Sequence, residues 1–548
     1  MTPVETPILI VGAGTTGLTL ACELARHGAA LRIVDKLPGV VHTARATGIH
    51  SRTLEVFQDL DVVDEILADA QPIRGVNQYA NGERFSHLRF DAVDSPYPFT
   101  VGLEQWRTEE VLEALLGRLG VRVERGTELV DMQEHRGCVQ AMLRRADGGE
   151  ESVETPWIVG CDGVHSRVRH LGRERFPGEE DPRQYVLGDV RVETPPEPDE
   201  IHMYLGDRGV LFFFPLPAGR SLVVGDIAQH HDGKTETPQL EEIQAIVSER
   251  GATGARVRDP RWLSYFRIHY RVGRHYRHGR ILLAGDAVHV HSPVGGQGMN
   301  TGIQDAYNLA WKLALVCRGF SSPVLLDSYE RERRAVAEDV VRVTKAMTDR
   351  ATVFRDLSDS ERERLYLHAV VPEVERLRGT RHDQELDLDY RRSPICSEPG
   401  EHGEQAGGLA GRPHAGAQAL DAAPLWLGDR ELSLFELLRG PRHTLLLFPG
   451  SHDGTTGTAL AGMADAVRRE YSGLVDVHWV APPDTGDSRS LHSAALRDPQ
   501  GTLHQRYAAR SECLYLIRPD GYVGYRSARA ALGPLRAHLA RVFSASLC

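Results

Sequence analysis

The sequence predicts an α/β protein in which a doubly wound parallel-sheet domain is interrupted by a β-sheet insertion and followed by a second, smaller α/β domain. Three observations predict it. A short apolar strand running into a glycine turn and a helix occurs twice, at "PILIVGAGTTGLTLACELARHGAALRIVDK" and "GRILLAGDAVHVHSPVGGQGMNTG". The chain between them, roughly Phe176 to Tyr270, is rich in β-formers. A Gly-, Pro- and Glu-rich stretch, Arg391 to Gly416, separates all of this from a further set of strands and helices. At 548 residues the chain exceeds the roughly 250 to 300 residues of a single core, so several domains are expected.

In the first unit, Ile8 to Val11 is a buried parallel strand, and Gly12, Gly14 and Gly17 follow at GxGxxG spacing, around Ala13, Thr15 and Thr16. The first glycine permits the turn, the second admits a pyrophosphate to the backbone, and the third lets helix and strand pack closely. Free N–H groups at the helix start then face phosphate charge. Asp35 ends the next strand, 18 residues beyond Gly17. A carboxylate there accepts hydrogen bonds from a ribose diol and repels a 2′-phosphate, which favours FAD or NAD over NADP at this site.

The second unit separates FAD from NAD. Ile281 to Leu283 forms another short buried strand, with Asp286 just past its end, where a carboxylate can meet the ribityl hydroxyls that only a flavin carries. The turn from Gly295 to Asn300 precedes a helix marked by Ile303, Ala306, Leu309, Ala310 and Leu313. Its N–H groups and positive dipole end suit the anion of a reduced flavin ring.

With these motifs in order, the chain resembles the class A flavoprotein aromatic hydroxylases, the family of p-hydroxybenzoate, phenol and polyketide hydroxylases. "ARATGIHSRTLEVF" is similar to the family's flavin-contacting loop and helix, placing Arg45 and Ala46 at the cofactor, and "EQWRTEEVLEALL" places Gln105 there. "VGCDGVHSRVR" resembles the DG motif at Asp162 and Gly163, implicated in FAD and reduced-nicotinamide binding. "LLAGDAVHVHSPVGGQGMNTGIQDAYNLAWKL" resembles the GD motif, with Pro293 at the proline whose backbone lies near substrate and flavin edge. The cofactor set implied is Gly12, Ala13, Gly14, Thr15, Thr16, Gly17, Asp35, Lys36, Arg45, Ala46, Gln105, Val130, Asp162, Gly163, Asp286, Pro293, Gly296, Gly298, Met299 and Asn300, with Pro293 and Arg45 as catalytic residues. Val288 and the pair Val164-His165 depart from the family pattern, and the second departure leaves NADPH and NADH both open.

The domains implied are a Rossmann-like FAD-binding domain (1–175 and 271–390), an inserted substrate-binding sheet (176–270), a linker (391–416) and a thioredoxin-like domain (417–548). "PGSHDG" stands where a thioredoxin has CxxC, so a redox-inert domain for packing or homodimerisation is expected. Phe212 and Phe214, on one strand face, are candidate pocket lining or plain core.

The resemblance implies that NADPH or NADH reduces FAD, molecular oxygen adds at flavin C4a to give the hydroperoxide, and a phenolic or polycyclic aromatic ring, possibly a polyketide, attacks the distal oxygen. A Baeyer–Villiger oxygenase on the same scaffold and a non-catalytic, flavin-loaded partner protein are the alternatives. A halogenase is disfavoured, because the six tryptophans include no WxWxIP motif. Composition narrows the rest. A net charge of −12 opposes nucleic-acid binding, and 41% hydrophobic residues without a membrane-length apolar run point to a cytoplasmic protein. Seven scattered cysteines without CxxC spacing suit a reducing compartment and no zinc site. His289 and His291 form an HxH pair for which no metal is expected, and the charged face of "SYERERRAVAEDVVRVTKAMTDRA" reads as solvated.

Overall fold

The computed structural model describes residues 8–42, 47–80, 82–193, 197–206, 208–227, 236–251, 254–293, 295–356, 384–399, 413–450, 454–481, 483 and 495–544. By internal contacts the chain forms two units: residues 1–25, 30–306 and 333–386 make the first, and residues 26–29, 307–332 and 387–548 the second. Among the described residues no helix is long and apolar enough to cross a membrane.

The first unit is built on a six-stranded sheet whose strands run, from one edge, Arg277–His278, Ile281–Leu283, Ile158–Gly160, Ile8–Val11, Leu31–Asp35 and Val123–Arg125. All neighbours are parallel except the first pair. Parallel strands are covered on both faces, which is why Ile8–Val11, Ile158–Gly160 and Ile281–Leu283 are continuous apolar runs without alternation. The helices Thr15–Arg26 and Gln297–Cys317 follow the two glycine turns, and Ile303, Ala306, Leu309, Ala310 and Leu313 are fully buried, as their spacing predicts.

The inserted sheet has eight strands, and the chain from 176 to 270 supplies only five of them: Gly178–Glu193, Glu200–Gly206, Gly209–Leu216, Arg220–Ile227 and Arg256–Val272. Gly75–Ala80 and Glu83–Arg89 extend one edge and His289–Val290 the other. The two faces differ. Phe213, Val186, Val190 and Val223 are buried against Ile243 and Val247 of the helix Leu240–Glu249. On the opposite face Phe212, Phe214, Val224, Trp262 and Phe266 remain half-buried.

Two smaller three-stranded sheets complete this unit. One, ordered Gly48–Ile49, Thr100–Gly102, Gln71–Ile73, lies close to the second glycine turn. The other joins Thr127–Glu134, Val139–Arg145 and Glu150–Thr155.

The second unit holds a seven-stranded sheet ordered Arg430–Leu432, Leu425–Leu427, Leu496–Arg497, Val475–Ala481, His443–Phe448, Cys513–Ile517 and Val523–Ser527. His443–Phe448 and Val475–Ala481 are parallel and joined through the helix Gly454–Glu470; the last two strands are antiparallel and lead into the helix Leu532–Val542. This βαβ then ββα order agrees with the thioredoxin-like expectation. Of "PGSHDG", residues 451–453 lie outside the described set. In the stretch expected as a linker, Ile395 and Cys396 are buried and the Ser397 N–H donates to Gly524 O at 3.0 Å, while 400–412 lie outside the described residues.

The charge-rich helix Asp327–Asp356 is solvated only in part. Arg331 and Glu338 are exposed, but Glu332 and Arg333 are buried. In the second unit Glu332 meets Lys312 at 2.7 Å and Arg518 at 2.8 Å, and Arg518 in turn pairs with Asp520. Burial opposes the Glu332 charge, but Arg518 and Lys312 together hold its carboxyl below the usual range, while burial pushes Lys312 down to about 8. The periodic pattern could not show this, because a buried ion pair and a solvated one use the same residue types.

Candidate functional site

Two motifs of the first unit meet at Thr16, and a third meets the first at Gly12. A Cβ placed on Gly285 would fall 2.6 Å from Thr16 Oγ1, and one on Gly302 would fall 2.5 Å from it. The start of the first helix therefore packs on the Gly285–Ala287 turn and on the helix of the second glycine turn. Gly12, at φ +102, lies so close to the third motif that a Cβ would sit 2.4 Å from Cys161 O and 2.8 Å from Asp162 Cα. Gly17 is equally confined, its Cβ position 1.9 Å from Gly12 O. Gly14 differs: the nearest atom to its Cβ position is Glu109 Oε1 at 3.7 Å, so the backbone there borders open space. These are the three roles that the spacing predicts. Thr15, Thr16 and Gly17 begin the helix, where an α-helix leaves its N–H groups without internal partners.

Asp35 closes the first turn. Its Oδ2 accepts the Ala13 N–H at 2.7 Å and its Oδ1 the Leu37 N–H at 2.8 Å, so it braces the loop while each oxygen keeps a further lone pair. Lys36 is exposed. Gln105 Nε2 donates to Glu109 Oε1 at 2.7 Å, and burial raises the Glu109 carboxyl against that hydrogen bond.

In the third motif, Asp162 organises the helix Arg167–Leu171. It accepts the Ser166 hydroxyl at 2.5 Å and the N–H groups of Arg167 at 2.6 Å and Val168 at 3.2 Å. Burial pushes its carboxyl up despite these donors. Gly163, at φ +77, has nothing within 4 Å of its Cβ position. Arg167 donates to Val130 O, and Arg169 donates to Val164 O and Ala287 O, all at 2.7 Å, tying this segment to the Asp286 turn.

Asp286 combines two properties. It is exposed at the surface of the turn, and desolvation by the surrounding protein raises its carboxyl above the usual range. The turn beneath it is fixed by Asp305, which accepts the Gly285 N–H at 3.1 Å and His289 Nε2 at 2.8 Å, and pairs with Arg333 at 2.7 Å. Burial alone would raise Asp305; Arg333 and His289 outweigh it and hold the carboxyl low. His289 is thus committed to Asp305, and among the described residues no cluster of three His, Cys, Asp or Glu is disposed to hold a metal ion.

In the second turn, Pro293 and Gly295 are exposed, Gly296 and Gly298 half-buried, and Met299 and Asn300 buried. Asn300 Oδ1 accepts the His50 N–H at 3.0 Å, and its Nδ2 donates to Gly48 O at 2.9 Å and Gly296 O at 2.7 Å. Phe214 lies against the same place, its ring 3.3 Å from the Cβ positions of Gly48 and Gly102. Arg45 and Ala46 lie outside the described residues. The sequence reading missed His50, Glu109, Arg169, Asp305 and Arg333. The first four sit inside the motif segments already singled out, so their nearness to a motif was the available signal.

Residues 5–344 match the FAD binding domain family, and residues 412–546 match the aromatic-ring hydroxylase C-terminal family. The 6-methylpretetramide 4-monooxygenase of Streptomyces rimosus is 34% identical over 97% of this chain and 92% of its own length. The chain belongs to the FAD-dependent aromatic-ring monooxygenases. This monooxygenase is also 30% identical to the pentachlorophenol 4-monooxygenase of Sphingobium chlorophenolicum, over 95% of the chain and 94% of that protein. Among solved structures, the anhydrotetracycline hydroxylase of Streptomyces rimosus superposes with a TM-score of 0.75 at 30% identity, covering 98% of each chain. A flavin-dependent monooxygenase solved with FAD and substrate superposes with a TM-score of 0.80 over 99% of each chain; at 24% identity it supports the fold alone. The cofactor of the monooxygenase is FAD, and the open flank of Gly14, the free space at Gly163 and the exposed carboxylate of Asp286 suit it.

Proposed function

We propose that the monooxygenase hydroxylates a phenolic or polycyclic aromatic ring, of polyketide type in the larger case, with NADPH or NADH as reductant. The observation that carries the reading is the convergence of both glycine turns, the Asp162–Gly163 segment and the Asp286 turn around Thr16 and Gly12. In this reading Gly12 to Gly17 hold the pyrophosphate, Asp35 and Lys36 the adenosine ribose, and Gln105 and Val130 neighbouring parts of the cofactor. Asp286 takes the ribityl hydroxyls, and Asp162 with Gly163 serves both cofactor and nicotinamide. Pro293, Gly296, Gly298, Met299 and Asn300 face the ring, with Arg45 beside it.

Bound FAD supplies the two-electron chemistry that activates oxygen. The protein's share is orientation, polarisation and exclusion of water. Helix N–H groups at the second turn favour negative charge nearby. The half-buried face carrying Phe212, Phe214, Trp262 and Phe266 offers the flat apolar wall that an aromatic substrate needs, and it supports a ring lying between that wall and the second turn. The domain boundaries 1–175 with 271–390, 176–270, 391–416 and 417–548 are proposed as the working division, with homodimerisation assigned to the last.

The test is oxidation of NADPH and NADH by the purified protein against a panel of phenols and polycyclic aromatics, with product masses recorded. Stimulation by one class with gain of one oxygen and a retained ring skeleton supports the reading. Ring expansion or opening means a Baeyer–Villiger oxygenase, and a yellow protein that no compound stimulates means a non-catalytic one.

A further inference from the structure

The peptide joining Gly295 to Gly296 is held from both sides. Its carbonyl meets His50 Nε2 at 2.9 Å, and its N–H donates to Pro293 O at 3.0 Å. Both glycines are left-handed, at φ +89 and +67. No Cβ flanks this peptide plane, so little in its covalent structure resists rotation.

A carbonyl only accepts, so Nε2 carries the ring proton and Nδ1 is left as an acceptor for the Thr100 hydroxyl at 3.3 Å. Thr100 in turn accepts from Gln384 Nε2 at 3.0 Å, and Gln384 Oε1 accepts the Ser51 N–H at 3.0 Å. The imidazole is therefore fixed in one tautomer by a chain of partners that leads away from the turn. His50 is 6% exposed, and burial pushes its pKa down to about 4, so at neutral pH it remains a neutral donor. Its backbone N–H is clamped by Asn300, which also holds Gly48 and Gly296.

We propose that His50 is a positioning residue: its Nε2–H locks the Gly295–Gly296 peptide, and with it the Pro293 carbonyl and the N–H groups that open the following helix, in the orientation that meets the FAD ring. This rests on the reading of the second turn as the one facing the ring. Loss of the donor frees the peptide to rotate. Reduced FAD then loses part of its electrostatic partner while the pyrophosphate turn, which His50 does not touch, keeps its hold.

The experiment compares wild type, His50→Leu and His50→Gln, the last retaining a side-chain donor. In cofactor-stripped protein, amide exchange of the peptide covering Pro293 to Gln297 should rise about tenfold in His50→Leu and return toward wild type in His50→Gln. In the FAD-loaded proteins, at equal FAD content, the ratio of reduced to oxidised flavin against a reference dye should fall about tenfold in His50→Leu, with recovery in His50→Gln. Unchanged exchange overturns the lock. Raised exchange with an unchanged dye equilibrium retains the lock but overturns its orientation toward the ring, and with it the reading of the second turn. If His50→Leu does not accumulate as folded protein, His50→Phe, which keeps ring volume and lacks the donor, decides the same two readouts.

Discussion

The two glycine turns of the first unit do similar jobs by different means. In the first, the backbone itself leaves no choice: a Cβ on Gly12 or Gly17 would collide with carbonyl oxygens at 2.4 and 1.9 Å, and the brace, Asp35, lies 22 residues from Ala13. In the second, the Cβ positions of Gly296 and Gly298 find nothing nearer than 3.5 and 3.8 Å, and the holding groups are His50 and Asn300, bonded to positions 245 and more residues away. One turn is enforced by steric closeness to backbone, that of the turn itself at Gly17 and that of the Cys161–Asp162 segment at Gly12. The other is enforced by side-chain hydrogen bonds that exist only once distant segments have met.

The sharpest way to break this contrast is Gly17→Ala, expected to cost about 5 kcal/mol or more, because the carbonyl that the Cβ meets belongs to the turn itself and cannot withdraw. A urea melt close to wild type would show that the first turn is less confined than its geometry states. Asp286→Ala bears on the turn that, with the helix of the second glycine turn, packs on Thr16. It should lower FAD affinity about tenfold or more with little change in the melt, and a variant that purifies fully yellow contradicts the assigned contact.

Asn300→Ala tests whether the second turn depends on distant groups. Its loss removes the acceptor of the buried His50 N–H and the side-chain donor shared by Gly48 O and Gly296 O, so about 2 to 4 kcal/mol should vanish from the unfolding free energy. A cost below about 1 kcal/mol would mean that the turn holds itself, as the first does.

The His50 imidazole gives the contrast a pH signature. Its folded pKa, about 4, lies below the ordinary 6.5, so the unfolded chain takes up the proton first. The stability tied to neutral His50 is complete above pH 6.5, falls as pH drops, and is lost below about 4. Across that window wild type should lose up to about 3 kcal/mol more than His50→Gln. Parallel pH profiles would remove His50 from the account of the second turn. The smallest effect on folding belongs to Gly298→Ala, whose added methyl meets only His291 at 3.8 Å; a loss of less than about 1 kcal/mol in a urea melt is expected.

Local periodicity and glycine spacing were enough to place the strands Ile8–Val11, Leu31–Asp35 and Ile281–Leu283 and the helix beyond Asn300, since each is decided by neighbours a few residues away. The inserted sheet was legible only in its middle. Gly75–Ala80 pairs with it across more than a hundred residues and His289–Val290 is only two residues long, and neither carries a pattern that names its partner. The same limit hid the fate of the charged helix, where Arg331 faces water while Glu332 and Arg333 turn inward to partners on other segments.

By itself, then, the sequence determined the α/β class, the first glycine turn, the acid after each buried strand and the FAD-dependent hydroxylase resemblance, because these rest on residue types at fixed short spacings. Tertiary structure alone decided which side chains hold the second turn, that Asp305 and Arg333 support the Asp286 turn, and which face of the inserted sheet stays half-open. Hydrogen-bond partners and burial belong to pairs of segments, and a pair is defined only after the chain has folded.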